Sequence, residues 1–94
     1  MSQLENIRHG INVVDKRIVA LLRERFSYVE DIQKIKQEND LPIRDEEREQ
    51  EVIKNVEAYA KFQGLDPKIA SSIYQTIIEE AIEHQSSSSE PEMP

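Results

Sequence analysis

The side chains in this sequence that could bind a ligand are cations placed along an apolar stripe. The stripe advances by steps of three and four residues, as the seam of a heptad repeat does, and Arg25 occupies a position where an aliphatic side chain is expected. An unpaired guanidinium in a buried seam is strongly destabilising, so Arg25 requires a carboxylate partner or an anionic ligand. The alternative is a polar residue that fixes the register of helix pairing, and Arg25 taken alone slightly favours that alternative.

Arg8 and Lys36 flank the same stripe, and each taken alone is an ordinary surface charge. They lie 28 positions apart, which is about 42 Å along one helix, so a single chain cannot use both on one small molecule. In an antiparallel pair of chains, Arg8 of one helix lies beside the later half of its partner, where Arg25 and Lys36 are about 16 Å apart along the axis. This arrangement predicts two equivalent cationic pockets shared between two chains.

Three polar residues further along the chain are weaker candidates. Arg48 falls in the first turn of a predicted helix, where the helix dipole disfavours a cation, although a surface pair with Glu51 or Glu47 explains it about equally well. Glu49, the next residue, is similarly ambiguous. Gln85 continues the apolar face of the last helix and predicts an amide that points inward, unless it lies at a frayed helix end.

The composition excludes most other chemistry. The 94 residues carry 12 Lys and Arg against 19 Asp and Glu, and the net charge of −7 argues against binding to nucleic acid or to an anionic membrane. With no Cys and two Gly, a disulfide scaffold, a Cys-ligated zinc site and a glycine-rich phosphate loop are ruled out. His9 and His84 are isolated, so we expect neither a metal site nor a cofactor. No apolar run suits a membrane span or a secretion signal, which predicts a cytoplasmic protein.

Three helices are predicted to position these residues in an all-α fold. They run from Leu4 to Asn39, from the N-cap Asp45 to Gly64, and from Asp66-Pro67 to about Gln85. Residues 1–85 then form one helical domain, and residues 86–94, rich in Ser, Glu and Pro, form a disordered tail. The first helix would be about 54 Å long, against a radius of gyration of about 12 Å for a compact monomer of this size. We therefore expect its stripe to be buried in an intertwined helical homodimer.

Taken in order, these residues resemble the all-helical, type II class of chorismate mutases, which are intertwined dimers, over about residues 4–85. The shared pattern is an N-terminal Arg, a mid-helix Arg, a later Lys, an Arg-Asp-x-x-Arg-Glu segment and a C-terminal Gln. In this sequence the matching residues are Arg8, Arg25, Lys36, the segment Arg44-Asp45-Glu46-Glu47-Arg48-Glu49, and Gln85. The resemblance implies isomerase activity in aromatic amino acid biosynthesis, the conversion of chorismate to prephenate in the shikimate pathway.

The resemblance also implies a role for each matching residue. Arg25 and the partner's Arg8 would bind the two carboxylates of chorismate, while Lys36 and Gln85 donate hydrogen bonds to its ether oxygen. The ring hydroxyl would be held by Glu49 and the backbone of Asp45, and Arg48 would contact a carboxylate. Such a rearrangement is intramolecular and needs no nucleophile, base or metal; it needs a folded substrate and donors aimed at the oxygen where negative charge grows.

Ala81 departs from the family pattern, because the family often has Ser one helical turn before the Gln. Without that hydroxyl, two other activities on the same fold stay open: isochorismate pyruvate lyase and 4-amino-4-deoxychorismate mutase. A third alternative is a non-catalytic helical dimerisation module whose charges only set the pairing register. For such a module, Arg25→Met should preserve or raise stability without loss of any activity.

Overall fold

The computed structural model describes residues 2–89, and every regular element in that range is an α-helix. The helices are α1 (Gln3–Glu38), α2 (Glu46–Gln63) and α3 (Pro67–Ser89). The predicted all-α fold with three helices is confirmed. The ends of α1 and α2 lie within one residue of their predicted positions, whereas α3 continues through the serines to Ser89 instead of stopping near Gln85. Because residues 90–94 lie outside the described range, the predicted division into a domain and a tail stays a prediction.

The chain divides into two compact units, of which the first ends at Ile32 and the second begins at Gln33. The first unit is formed by α1, which carries the predicted apolar stripe on one side. Side chains of this stripe are between 47% and 62% exposed, so nothing within the unit covers them. They are Leu4, Ile7, Ile11, Val14, Ile18 and Leu21. An apolar stripe of this length is typical of a helix that buries one face against another element.

The second unit contains the end of α1 together with α2 and α3, and α2 packs against α3. Its buried positions are mostly small: Ala60 on α2, and Ala70, Ile78 and Ala81 on α3. Small side chains at a helix contact let the two backbones approach closely. The two helices therefore form a short, closely packed helical hairpin.

Both ends of α2 follow the predicted capping chemistry. Asp45 is extended, and its carboxylate accepts the Arg48 N–H at 3.0 Å. At the other end Gly64 adopts a left-handed conformation with φ of 77°, and the Leu65 N–H donates to the Ala60 carbonyl at 2.9 Å. The next cap, Asp66, accepts the Lys68 N–H at 2.9 Å and starts α3. These caps fix the short connection between α2 and α3.

The two glycines are expected to respond to alanine in opposite directions. Gly64→Ala should lower the free energy of unfolding by about 1 kcal/mol, because the left-handed backbone penalises a Cβ even where no atom lies within 4 Å. Gly10→Ala should raise it by about 0.5 to 1 kcal/mol, because Gly10 lies inside α1 and its added Cβ also meets nothing within 4 Å. Urea unfolding of both variants at one protein concentration tests the pair; a shift of the same sign in both would contradict it.

The end of α1 turns the chain back toward its own last turn. Asp40 adopts a left-handed φ of 55°, and the Leu41 N–H donates to the Lys36 carbonyl at 2.8 Å. This stop lies next to Asn39, where the sequence predicts the end of the first helix. The returning segment therefore passes the side chain of Lys36. None of the three helices within residues 2–89 is both long and apolar enough to cross a membrane.

Candidate active site

Lys36 lies in the last turn of α1 and points toward the segment that follows the helix. Its side chain is half-buried, and its ammonium donates to the backbone carbonyl of Ile43. Ile43 lies two residues before the α2 cap Asp45. The turn at the end of α1 therefore holds the Lys36 ammonium near the beginning of α2, and a neutral carbonyl occupies one of its three N–H groups.

Gln85 is joined to α1 by a buried hydrogen bond. The amide nitrogen of Gln33 donates to the Gln85 backbone carbonyl at 3.2 Å, and both residues are buried. Gln33 precedes Lys36 by three positions, which places the two side chains on neighbouring turns of α1. The sequence-predicted donors Lys36 and Gln85 are thus attached to parts of the second unit that contact each other through Gln33.

The hydrogen-bonding capacity of the Gln85 side chain is only partly used. Its Oε1 is buried and has no hydrogen-bond partner among the described residues. A buried polar atom without a partner costs about 1 to 3 kcal/mol, and a bound ligand or a water is one way to supply the missing partner. Turning the amide about its last bond exchanges oxygen and nitrogen, so this position can also present two donors. Ala81, one turn earlier on α3, is buried beside it along the helix.

Arg48 and Glu51 form an exposed ion pair one turn apart at the start of α2. This is the surface pair that stood as the alternative to a binding role for Arg48. Both side chains are well exposed, so the pair contributes little to stability. Arg48 can therefore release Glu51 and bind another anion. Asp45 uses its carboxylate on the Arg48 N–H and its carbonyl on the Glu49 N–H.

Glu49 is clamped by a residue to which the sequence assigned no role. The Arg44 guanidinium donates to both Glu49 oxygens, at 3.0 and 3.1 Å, and to Glu79 of α3 at 3.1 Å. The hydrogen bonds that Arg44 donates to Glu49 and the negative charge of Glu49 raise the pKa of Arg44 above its usual value, against a smaller opposing effect of burial. The charge of Glu79 and the hydrogen bond to it raise the pKa further. Arg44 therefore remains a cation, and it connects α2 with α3.

Arg8 and Arg25 lie in the first unit, on α1. Arg8 is exposed and Arg25 is half-buried. The 17 positions between them correspond to about 26 Å of helix, so one chain cannot place both on the same small ligand. Grouping by unit thus separates the predicted carboxylate anchors from the predicted ether donors. Among residues 2–89, no three His, Asp or Glu side chains are grouped in a way that could hold a metal ion.

Comparison with known proteins decides the family. A family model described as chorismate mutase type II matches residues 7–86. The chain belongs to the chorismate mutase type II family. It is 33% identical over 79 residues to "Chorismate mutase" of Methanocaldococcus jannaschii. The matched region covers 84% of this chain and 80% of the relative. Membership confirms the resemblance predicted from the sequence and, with it, the predicted isomerase class.

Other relatives are longer proteins, and this chain matches only a part of each. The "Bifunctional chorismate mutase/prephenate dehydratase" of Buchnera aphidicola subsp. Acyrthosiphon pisum is 38% identical over 78 residues, or 83% of this chain and 20% of the relative. The protein of the same name from Escherichia coli K12 is 29% identical over 76 residues, or 81% of this chain and 20% of the relative. The chain spans about a fifth of the length of these bifunctional relatives.

Two residues of this site, Gln33 and Arg44, were not predicted from the sequence, for different reasons. Gln33 falls outside the stripe of the heptad pattern, so periodicity predicts an exposed side chain; its burial depends on the end of α3. Arg44 belongs to the matching motif, but it lies five positions from Glu49 across a helix cap, and no spacing rule for helices predicts that contact. The only sequence feature that points to this contact is an Arg placed directly before a helix N-cap.

Proposed function

We propose that two copies of the chain form a homodimer whose two pockets convert chorismate to prephenate. The observation that carries this proposal is the buried Gln33–Gln85 hydrogen bond, because it joins the last part of α1, which bears Lys36, to the turn of α3 that bears Gln85. Two donors on connected helices suit a reaction in which charge grows on a single ether oxygen. An intramolecular rearrangement of this kind needs no nucleophile and no base.

The homodimer is supported by the first unit taken alone. Its apolar stripe is about half exposed along six successive positions, and a second copy of the same stripe is a chemically matched cover. Arg8 and Arg25 are too far apart on one helix to share a ligand, whereas antiparallel pairing of two helices brings Arg8 of one beside the later half of the other. Each pocket would then contain Arg25 of one chain and the partner's Arg8.

In this pocket the cations fold the substrate and the donors lower the barrier. Arg25 and the partner's Arg8 would each bind one carboxylate, which holds the enolpyruvyl side chain over the ring and brings the reacting carbons together. Lys36 and the Gln85 amide nitrogen would donate to the ether oxygen as its bond to the ring breaks. Arg48 would exchange Glu51 for a substrate carboxylate, since their exposed pair is weak.

The assay that tests the proposal follows loss of chorismate and identifies the product by mass and by acid-induced conversion to phenylpyruvate. Rapid formation of prephenate by the wild type, abolished in Arg25→Ala, is the expected result. Arg23→Ala is the matched control, because Arg23 is an exposed Arg of the same helix that pairs with Glu30 at 3.0 Å. It should retain wild-type activity.

The alternative substrates are distinguished in the same assay. Ala81 is buried next to the Gln85 turn and offers no hydroxyl to a substrate carboxylate, so isochorismate and the 4-amino analogue are offered alongside chorismate. A well-folded dimer that converts isochorismate or the 4-amino analogue but not chorismate would reassign the substrate. One that turns over none would leave the dimerisation module. A stable monomer in sedimentation would contradict the shared pocket. A cytoplasmic location remains a prediction.

A further inference from the structure

Arg44 joins two carboxylates that belong to different helices. Its Nε donates to one oxygen of Glu49 at 3.1 Å, and its Nη2 donates to the other at 3.0 Å. Nη2 also donates to Glu79 on α3 at 3.1 Å. A guanidinium that meets both oxygens of a carboxylate fixes the plane of that carboxylate as well as its distance. The orientation of the Glu49 carboxylate is therefore set by Arg44.

This contact differs from an ordinary surface ion pair. Isolated exposed pairs contribute little, but two-point geometry and a network of several charges are the cases in which such pairs matter. The Glu49 side chain is 18% exposed, and Glu79 gives Arg44 a second anchor on the neighbouring helix. A carboxylate has about four sites that accept hydrogen bonds, and Arg44 fills two of those on Glu49. Glu49 can thus accept a further hydrogen bond while its plane is held.

We propose that Arg44 is a positioning residue that tunes discrimination at the ring substituent of the substrate. It acts through Glu49: a carboxylate held in one plane accepts a hydroxyl proton in one direction, whereas a freely rotating one gains less from the same hydroxyl. The inference rests on the proposed function and on the role that the family resemblance implies for Glu49, namely that it accepts a hydrogen bond from the ring hydroxyl of chorismate. Arg44 itself does not touch the substrate, and its effect should depend on whether that hydroxyl is present.

Arg44→Gln and Arg44→Lys test the inference with two substrates. The full chain is assayed on chorismate and on the same compound lacking the ring hydroxyl, and kcat and KM are measured for each. In Arg44→Gln, kcat/KM for chorismate should fall about tenfold further than kcat/KM for the dehydroxylated compound. Loss of a positive charge near a dianionic substrate lowers both values together, so the ratio isolates the role of the hydroxyl.

Arg44→Lys separates geometry from charge. It keeps the cation but cannot form the two-point contact. The loss of kcat/KM that is common to both substrates should therefore disappear, while the tenfold loss in the ratio of kcat/KM for chorismate to kcat/KM for the dehydroxylated compound remains. Glu46→Gln is the matched control: Glu46 is exposed and lies 3.9 Å from the Arg44 Nε, so its change alters local charge and leaves the clamp on Glu49 intact. It should keep the wild-type ratio.

Two results would overturn the inference. One is an Arg44→Gln enzyme with the wild-type ratio for the two substrates, and the other is an Arg44→Lys enzyme in which the ratio is fully restored. A wild-type protein that converts neither compound would contradict the proposed function instead, so the two failures are distinguishable. Far-ultraviolet circular dichroism of each variant establishes that the compared proteins are folded. If Arg44→Gln is not folded, the ratio measured for Arg44→Lys tests the inference.

Discussion

Replacing Lys36 with alanine is expected to lower kcat about 100- to 1,000-fold and to change KM little. The Lys36 ammonium is held at the end of α1 by its hydrogen bond to the Ile43 carbonyl, so it is in place before the substrate binds. The ether oxygen of bound chorismate carries little charge, but it gains negative charge as the carbon–oxygen bond breaks. A fixed cation at that point therefore stabilises the transition state more than the bound substrate.

Steady-state kinetics on chorismate measures this split. Lys34→Ala is the control on the same helix, because Lys34 is exposed and two positions away, on another face of α1. It should keep both kcat and KM. A Lys36→Ala enzyme that loses affinity as much as it loses kcat would show that Lys36 only binds the substrate, which would leave the acceleration to other groups.

The helix ends were predictable because each depends on one or two neighbouring residues. Asp45 caps α2 because a short carboxylate reaches the N–H of the third helical residue, and Gly64 ends it because only glycine adopts a positive φ without cost. Such local chemistry can be seen in any stretch of a few residues. The serines after Gln85 lack a signal of this kind: no Gly or Pro interrupts them, and α3 continues through them to Ser89.

Contacts between helices were harder to predict, because they depend on how elements pack. The inward position of the Gln85 amide followed from the apolar face of α3, and the structure places that side chain in a buried position. Its tie to Gln33 did not follow, since it joins residues 52 positions apart and needs the end of α3 to reach the end of α1. For Arg48, the dipole argument left two readings, and the structure contains the pair with Glu51.

In the proposed homodimer, Arg8 acts in the pocket of the partner chain, and a mixture of two inactive variants tests that arrangement directly. Arg8→Ala and Lys36→Ala should each retain about 1% of wild-type activity or less at low substrate concentration. If every pocket takes Arg8 from one chain and Lys36 from the other, a dimer of one variant with the other has one pocket with neither residue and one pocket with both. Unfolding and refolding an equal mixture should therefore restore activity.

The size of the recovery follows from random pairing. Half of the dimers contain one chain of each kind, and one of the two pockets in each is intact, so the mixture should reach about a quarter of wild-type activity. Arg25→Ala mixed with Lys36→Ala is the matched control, because both residues come from the same chain and every pocket then lacks one of them. Recovery in this control, or none in the first mixture after chain exchange is verified by native mass spectrometry, would contradict the pocket shared between chains.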